Sequence, residues 1–159
     1  MDPMTTFPFP DASFATIYAD PPWPEIGGGA VYVRGAQRHY PVMNVNGIEA
    51  LGYEVSRIAH PCAHLYLWTT NTYLYRAMAI MDAWGFSFRN CITWFKGVLL
   101  EDETVIPDRI GLGQYYRGLT EQCLFGVRGV LPYRMLPNGK RAQGRTAIFA
   151  KRQEHSRKP

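Results

Sequence analysis

The chain has 159 residues, 47% hydrophobic and 14% aromatic, enough for one domain with a sizeable core and unlike a disordered polymer. No stretch approaches the ~18 consecutive apolar residues of a membrane span, and no basic start followed by an apolar run marks a secretion signal. Charge is divided unevenly: residues 1–129 carry nine Lys/Arg against twelve Asp/Glu, a balance of −3, and residues 130–159 carry eight against one, a balance of +7. Such a basic end suits a polyanion held through its phosphates, and it also suits a plain solvated tail.

Phe14 to Ala19 is rich in β-branched and aromatic residues and predicts a buried strand. It runs straight into Asp20-Pro21-Pro22-Trp23, so an acid, two rigid residues and an aromatic stand at the carboxyl end of a core strand. In an open α/β sheet that is the end where ligands bind. The carboxylate only accepts hydrogen bonds, the prolines fix φ and remove two donors, and the indole offers a flat face. The carbonyls of this turn are expected to be open to a ligand. A flat ring bearing an amino group, such as adenine, suits them.

Pro24 to Tyr40 lacks periodicity and reads as a long loop of the kind that closes over sites. Its Gly27-Gly28-Gly29 run precedes no helix pattern and makes no dinucleotide fingerprint. Asn46 is the expected cap of a helix over 47–59, with Ile48, Leu51, Val55 and Ile58 on one face. Pro61 breaks it, a strand follows at 64–68, and Thr70 or Asn71 caps a second helix over 72–84 that Gly85 stops. A third strand spans 86–95. This alternation predicts an α/β layer of mostly parallel strands with helices on both faces. Further on, 97–113 is expected as loop, 114–119 as a helical turn, 121–127 as a strand, 129–145 as loop and 146–150 as a short last strand.

Cys62, Cys91 and Cys123 are odd in number and sit among apolar neighbours, which predicts reduced core thiols in a cytoplasmic protein. No metal-ligand spacing is present. Trp68, Trp84 and Trp94 are expected in the core, and His64 reads as a strand residue before a catalyst.

Four stretches carry a resemblance, in this order: Ala19 to Trp23, Ala63 to Asn71, Glu121 to Gly129, and Glu154 to Pro159. With Tyr40 to Met43, Ala83 to Phe86 and Thr93 to Lys96, they resemble the adenine N6-methyltransferase family that contains the catalytic subunit of the messenger-RNA adenosine methyltransferase. The resemblance implies one Rossmann-like, S-adenosylmethionine-dependent methyltransferase domain over residues 1–159. Its motif order would be permuted, the catalytic turn preceding the main cofactor-binding segment. The implied reaction is metal-free methyl transfer to the N6 amino group of adenine in nucleic acid, DNA favoured over RNA. By resemblance Asp20 and the Pro21 carbonyl grip the amino group, with Pro22 completing the turn and Trp23 bordering the base. Tyr40 meets the substrate, and Asp20 and Lys158 contact the cofactor.

Family members continue past this point with a helix and strand that hold the cofactor's ribose and methionine. Two expectations follow: Lys158, the penultimate residue, frays, and a further segment or a second protein chain completes the cofactor site. The rival reading keeps the fold and the basic end in a non-catalytic nucleic-acid-binding protein.

Overall fold

The computed structural model describes residues 6–24, 42–108, 110, 115–130, 134–153 and 157–159. In chain order the elements are β1 (Phe14–Ala19), α1 (Val45–Ala50), α2 (Gly52–Ile58), β2 (Ala59–Thr69), a 3-10 turn (Asn71–Tyr73), α3 (Leu74–Ala83), β3 (Ser87–Leu99), β4 (Val105–Pro107), β5 (Thr120–Arg128) and β6 (Ala147–Ala150). Tyr40 and Gly27–Gly29 lie outside the described residues.

The expected strands all form, in one sheet ordered β1-β2-β5-β3-β4 with β6 on β3. The sheet is mixed, however, where mostly parallel pairing was expected. β1 pairs β2 in parallel and β3 pairs β6 in parallel, but β5 runs antiparallel to both of its neighbours, β2 and β3. The cause is the connection before β5. Helices carry the chain from β1 to β2 and from β2 to β3, and a helical crossover makes the next strand parallel. After β3 the chain folds back as a hairpin, with Gly97 opposite Pro107, and enters β5 from the edge it has just left. The helical turn expected over 114–119 is replaced by bend and coil at 115–119, Gln114 lying outside the described residues.

The described helices cover one face, not both. Ala63, Leu65 and Leu67 of β2 pack with Ile48, Val55, Ala77, Ile80 and Met81 of the three helices. Each large apolar side chain buried in this layer contributes roughly 1.5–3 kcal/mol. The alternate residues Tyr66 and Trp68 point the other way, to Trp94 and Cys123, as strand periodicity requires.

Two helix boundaries differ from expectation. Asn44, not Asn46, caps α1, its Oδ1 accepting from the Gly47 amide at 2.7 Å; an N-cap serves the amide three residues on. The single helix expected over 47–59 breaks at Leu51, because the buried Trp84 indole N–H donates to the Ile48 and Glu49 carbonyls, both at 3.2 Å. The Leu51 amide also turns back to the Ile48 carbonyl at 3.2 Å, the tightened last turn of a helix end. Pro61 does not break the helix either. It lies inside β2, in the irregularity between the Phe14–Ala59 and Thr16–His64 pairs, where no ladder amide is needed.

Gly85 ends α3 as predicted. It has φ +80°, Phe86 donates to the Met81 carbonyl at 3.1 Å and Gly85 to that of Asp82 at 2.9 Å, the paired bonds of a Schellman end. Arg128 locks this corner from β5, donating to the Ser56 carbonyl at 2.9 Å and its hydroxyl at 2.8 Å. A Cβ on Gly85 would stand 2.5 Å from the Arg128 guanidinium. Gly85→Ala is therefore expected to lower the unfolding free energy by roughly 1–2 kcal/mol through left-handed backbone strain, with a further loss as Arg128 shifts. Urea titration measures this, and an unchanged midpoint would contradict it. No helix among the described residues is long and apolar enough to cross a membrane.

Candidate active site

The pairing places several chemical groups at one edge of the sheet. Ala19 pairs Leu67, Leu67 pairs Leu124, and Leu124 pairs Cys91, so Asp20 leaves β1 at the level of Trp68. β5 enters at this same edge because it is antiparallel, and Glu121 stands opposite Trp94. Counting by twos along each strand puts Asp20, Trp68, Glu121, Trp94 and Lys96 on the face that carries no described helix.

Side chains close the arrangement. Lys158 lies 3.0 Å from an Asp20 oxygen and 3.1 Å from Glu121, and the other Glu121 oxygen takes Lys96. The two ammonium groups rest over indoles, Lys158 at 5.7 Å from the Trp68 ring and Lys96 at 5.2 Å from that of Trp94. Lys158 is not frayed: its side chain is 14% exposed. The expectation of fraying took account of sequence position alone, and two carboxylates and an indole hold this residue.

The shared ammonium does not make the two acids alike. Burial raises the Asp20 carboxyl above its ordinary value, and the nearby Glu121 charge adds to this against the opposing pull of Lys158. Burial also pushes Glu121 up, but the Lys96 hydrogen bond and the Lys158 and Lys96 charges prevail and hold it low. Lys158 is raised: burial opposes its charge, yet Glu121 and Asp20 outweigh burial. Asp20 is thus the more easily protonated acid of the pair. Cys123, on the same face, has its thiol pushed up to about 12 by burial and is no nucleophile at neutral pH. The cysteines are free, Cys123 buried and Cys62 and Cys91 half-buried. Among the described residues no cluster of His, Cys, Asp and Glu is arranged for a metal ion.

The proline turn is tied down more than its composition suggested. The Pro21 carbonyl accepts from the Trp23 amide at 2.8 Å and the Pro22 carbonyl from Met43 at 2.9 Å. Neither carbonyl is left wholly open, although each oxygen retains a second lone pair. Trp23 is 7% exposed, stacks on Tyr73 at 5.4 Å and donates its indole N–H to the Trp68 carbonyl at 2.8 Å. It faces the helical layer, on the side of the sheet away from Lys158. Trp68, Trp84 and Trp94 are buried as expected, and His64 packs against Phe125. Concavities beside α2, lined by Gly52, Tyr53 and Ala83, share no residue with the Asp20 edge.

The MT-A70 family model matches residues 14–159, a span that takes in every element of the sheet and the whole Asp20, Glu121 and Lys158 cluster. The chain belongs to the MT-A70 family. It is also 26% identical over 168 residues to the Type II methyltransferase M.MunI of Mycoplasma sp, an alignment covering 94% of this chain and 64% of that protein. The chain therefore spans less than two thirds of that relative's length.

Within this MT-A70 chain the structure brings together Asp20 and Lys158, two of the residues singled out in the sequence. It adds Glu121 and Lys96, which sequence reasoning did not assign to the site. The signal was present, since Glu121 opens a strand and Lys96 closes one. Reading β5 as parallel sent Glu121 to the opposite edge of the sheet.

Proposed function

We propose that this chain transfers the methyl group of S-adenosylmethionine to the exocyclic N6 amino group of adenine in nucleic acid, DNA in preference to RNA. On this reading the domain is Rossmann-like with the permuted order, acts in the cytoplasm, and is completed at the cofactor site by a further segment or a partner chain. The observation that carries the reading is Asp20 at the carboxyl edge of the sheet, its side chain 32% exposed and bound to Lys158. Family membership and the methyltransferase relative support it.

The chemistry follows from the amine. Its lone pair is shared with the ring, so it is a poor nucleophile until its hydrogens are engaged and the nitrogen becomes pyramidal. An acceptor that gains most in the attacking geometry stabilises the transition state over the ground state. Asp20 Oδ2 is taken by Lys158, which leaves Oδ1 to accept from the amino group, with the second lone pair of the Pro21 carbonyl as its partner. When bound, S-adenosylmethionine supplies an electrophilic methyl on a sulfonium. The chain's task is alignment, which alone supplies much of such a rate. Asp20 and Lys158 are the described groups that suit the donor's cationic and carboxylate ends. A base in a duplex must be flipped out to reach this edge.

The test is transfer of labelled methyl from S-adenosylmethionine to duplex DNA containing adenine, against the same duplex with N6-methyladenine in its place. Label on the first and not the second is expected, and label on cytosine would overturn the reading. The pH profile adds a second check. Asp20 must be ionised to accept, and its carboxyl is raised, so activity falls on acidification through a point above the ordinary aspartate value. Lys158 pulls that point down. Lys158→Met is therefore expected to move the acid limb to higher pH, and an unmoved limb would show that another group controls it.

A further inference from the structure

No Asp or Glu occurs between Gln122 and Gln153, while Arg134, Lys140, Arg141, Arg145, Lys151 and Arg152 all fall there. Part of this segment, expected as loop, is a built hairpin. Met135 bridges Arg141 in antiparallel fashion. Ala142 donates to the Arg134 carbonyl and Leu136 to that of Lys140, both at 2.8 Å. The turn between them is Pro137-Asn138-Gly139, closed by the Gly139 amide on the Leu136 carbonyl at 3.0 Å and by Asn138 Oδ1 on the Lys140 amide at 3.1 Å. Gly139 has φ +74°. Residues 134–147 are all exposed. Ladder alternation puts Arg134 and Lys140 on one face of the ribbon as diagonal neighbours, about 7–8 Å apart, a spacing comparable with that of successive backbone phosphates.

The chain leaving the hairpin has a defined height relative to Asp20. Its chain enters β6 through the Thr146 carbonyl, which accepts from Thr93 at 2.8 Å. Thr93 pairs Gln122, and Gln122 pairs Thr69, one residue beyond the level of Asp20. From β1 the path across the sheet to β6 crosses β2, β5 and β3, four steps of about 4.8 Å, or about 19 Å in all. Thr146, four residues past the hairpin, therefore stands within about one residue of the level of Asp20, at a distance of about six base pairs of 3.4 Å each.

We propose that the Arg134–Ala142 hairpin is the duplex-holding element of this chain, entering the major groove of DNA about half a turn from the adenine presented to Asp20. A two-stranded ribbon fits that groove, and Arg134 and Lys140 supply the phosphate contacts that fix register. The remaining basic residues divide by role. Lys158 belongs to the acid cluster, and the Arg152 amide and guanidinium reach Asp108 and the Gly118 carbonyl. The +7 end is thus not one uniform patch. This inference rests on the nucleic-acid reading above, but its test needs no methyl transfer.

The experiment is anisotropy of a labelled 16-base-pair duplex titrated with the full chain over a range of salt concentrations. Arg134→Gln/Lys140→Gln is expected to bind about tenfold more weakly at 0.1 M salt, with a salt slope shallower by about 1.8, as two lost phosphate contacts require. Arg89→Gln, an exposed cation at the far end of β3, should leave the slope within about one contact of wild type. Equal affinity and slope for the double variant would overturn the proposal. So would a wild-type chain that binds no duplex, or one that binds single-stranded RNA of equal length as tightly. If the double variant loses binding but the wild-type chain transfers no methyl, the hairpin assignment stands and the methyl-transfer reading fails.

Discussion

Asp20→Ala is expected to cut methyl transfer by about 10²–10³-fold, the loss typical of removing one oriented group that acts on developing charge. The fold should survive. Asp20 is about one-third exposed at its side chain and its cation partner keeps Glu121 at 3.1 Å. Duplex binding should also survive, because the cations that face solvent lie elsewhere. Asp20→Asn is the sharper control: it keeps an acceptor oxygen in place and removes the charge. A rate for Asn between those of Asp and Ala would assign part of the effect to hydrogen bonding and part to charge. The outcome that sinks the catalytic assignment is near-normal turnover in Asp20→Ala with circular dichroism unchanged. That result would favour the rival reading, in which the turn is a structural corner of a nucleic-acid-binding chain.

Strand content was largely legible because runs of β-branched and aromatic residues write their pattern locally. The bounds Phe14–Ala19 were read residue for residue, but β1 is an edge strand with no fully buried residue where a buried strand was expected. Gly85 stopped its helix where a left-handed end was needed. Strand direction was not legible. The sense of β5 depends on whether the chain before it crosses over or turns back, and 97–119 contains no local pattern strong enough to say. That one ambiguity had a chemical consequence, since the direction of β5 decides which edge of the sheet receives Glu121. The strand-end motif singled out Asp20 and the family resemblance Lys158, but neither could show that they meet, 138 positions apart, over the indole of Trp68. The role of Trp23 was the other limit. The sequence reading takes the indole after two prolines as a flat face bordering a base, and only its three-dimensional neighbours bring out a core anchor.

Those neighbours make Trp23→Ala the substitution with the largest expected cost to stability. The indole is 7% exposed, stacks on Tyr73 with 20° between the ring planes, and satisfies the carbonyl at the end of β2. Truncating a buried tryptophan costs about 3–5 kcal/mol, a large part of the roughly 5–15 kcal/mol that holds a domain together. Trp23→Phe separates the contributions. It retains ring stacking on Tyr73 and deletes the N–H, leaving the buried Trp68 carbonyl without that donor, so a loss of about 1–3 kcal/mol is expected. Chemical denaturation of both variants gives the two numbers, and methyl transfer measured on the folded fraction gives the third. If Trp23 acts as an anchor, specific activity per folded molecule stays near wild type in Trp23→Phe, since the Asp20 turn keeps its shape. A Trp23→Ala chain as stable as wild type but unable to bind adenine would reverse the assignment, making the indole a base-stacking face that the turn must swing outward to expose.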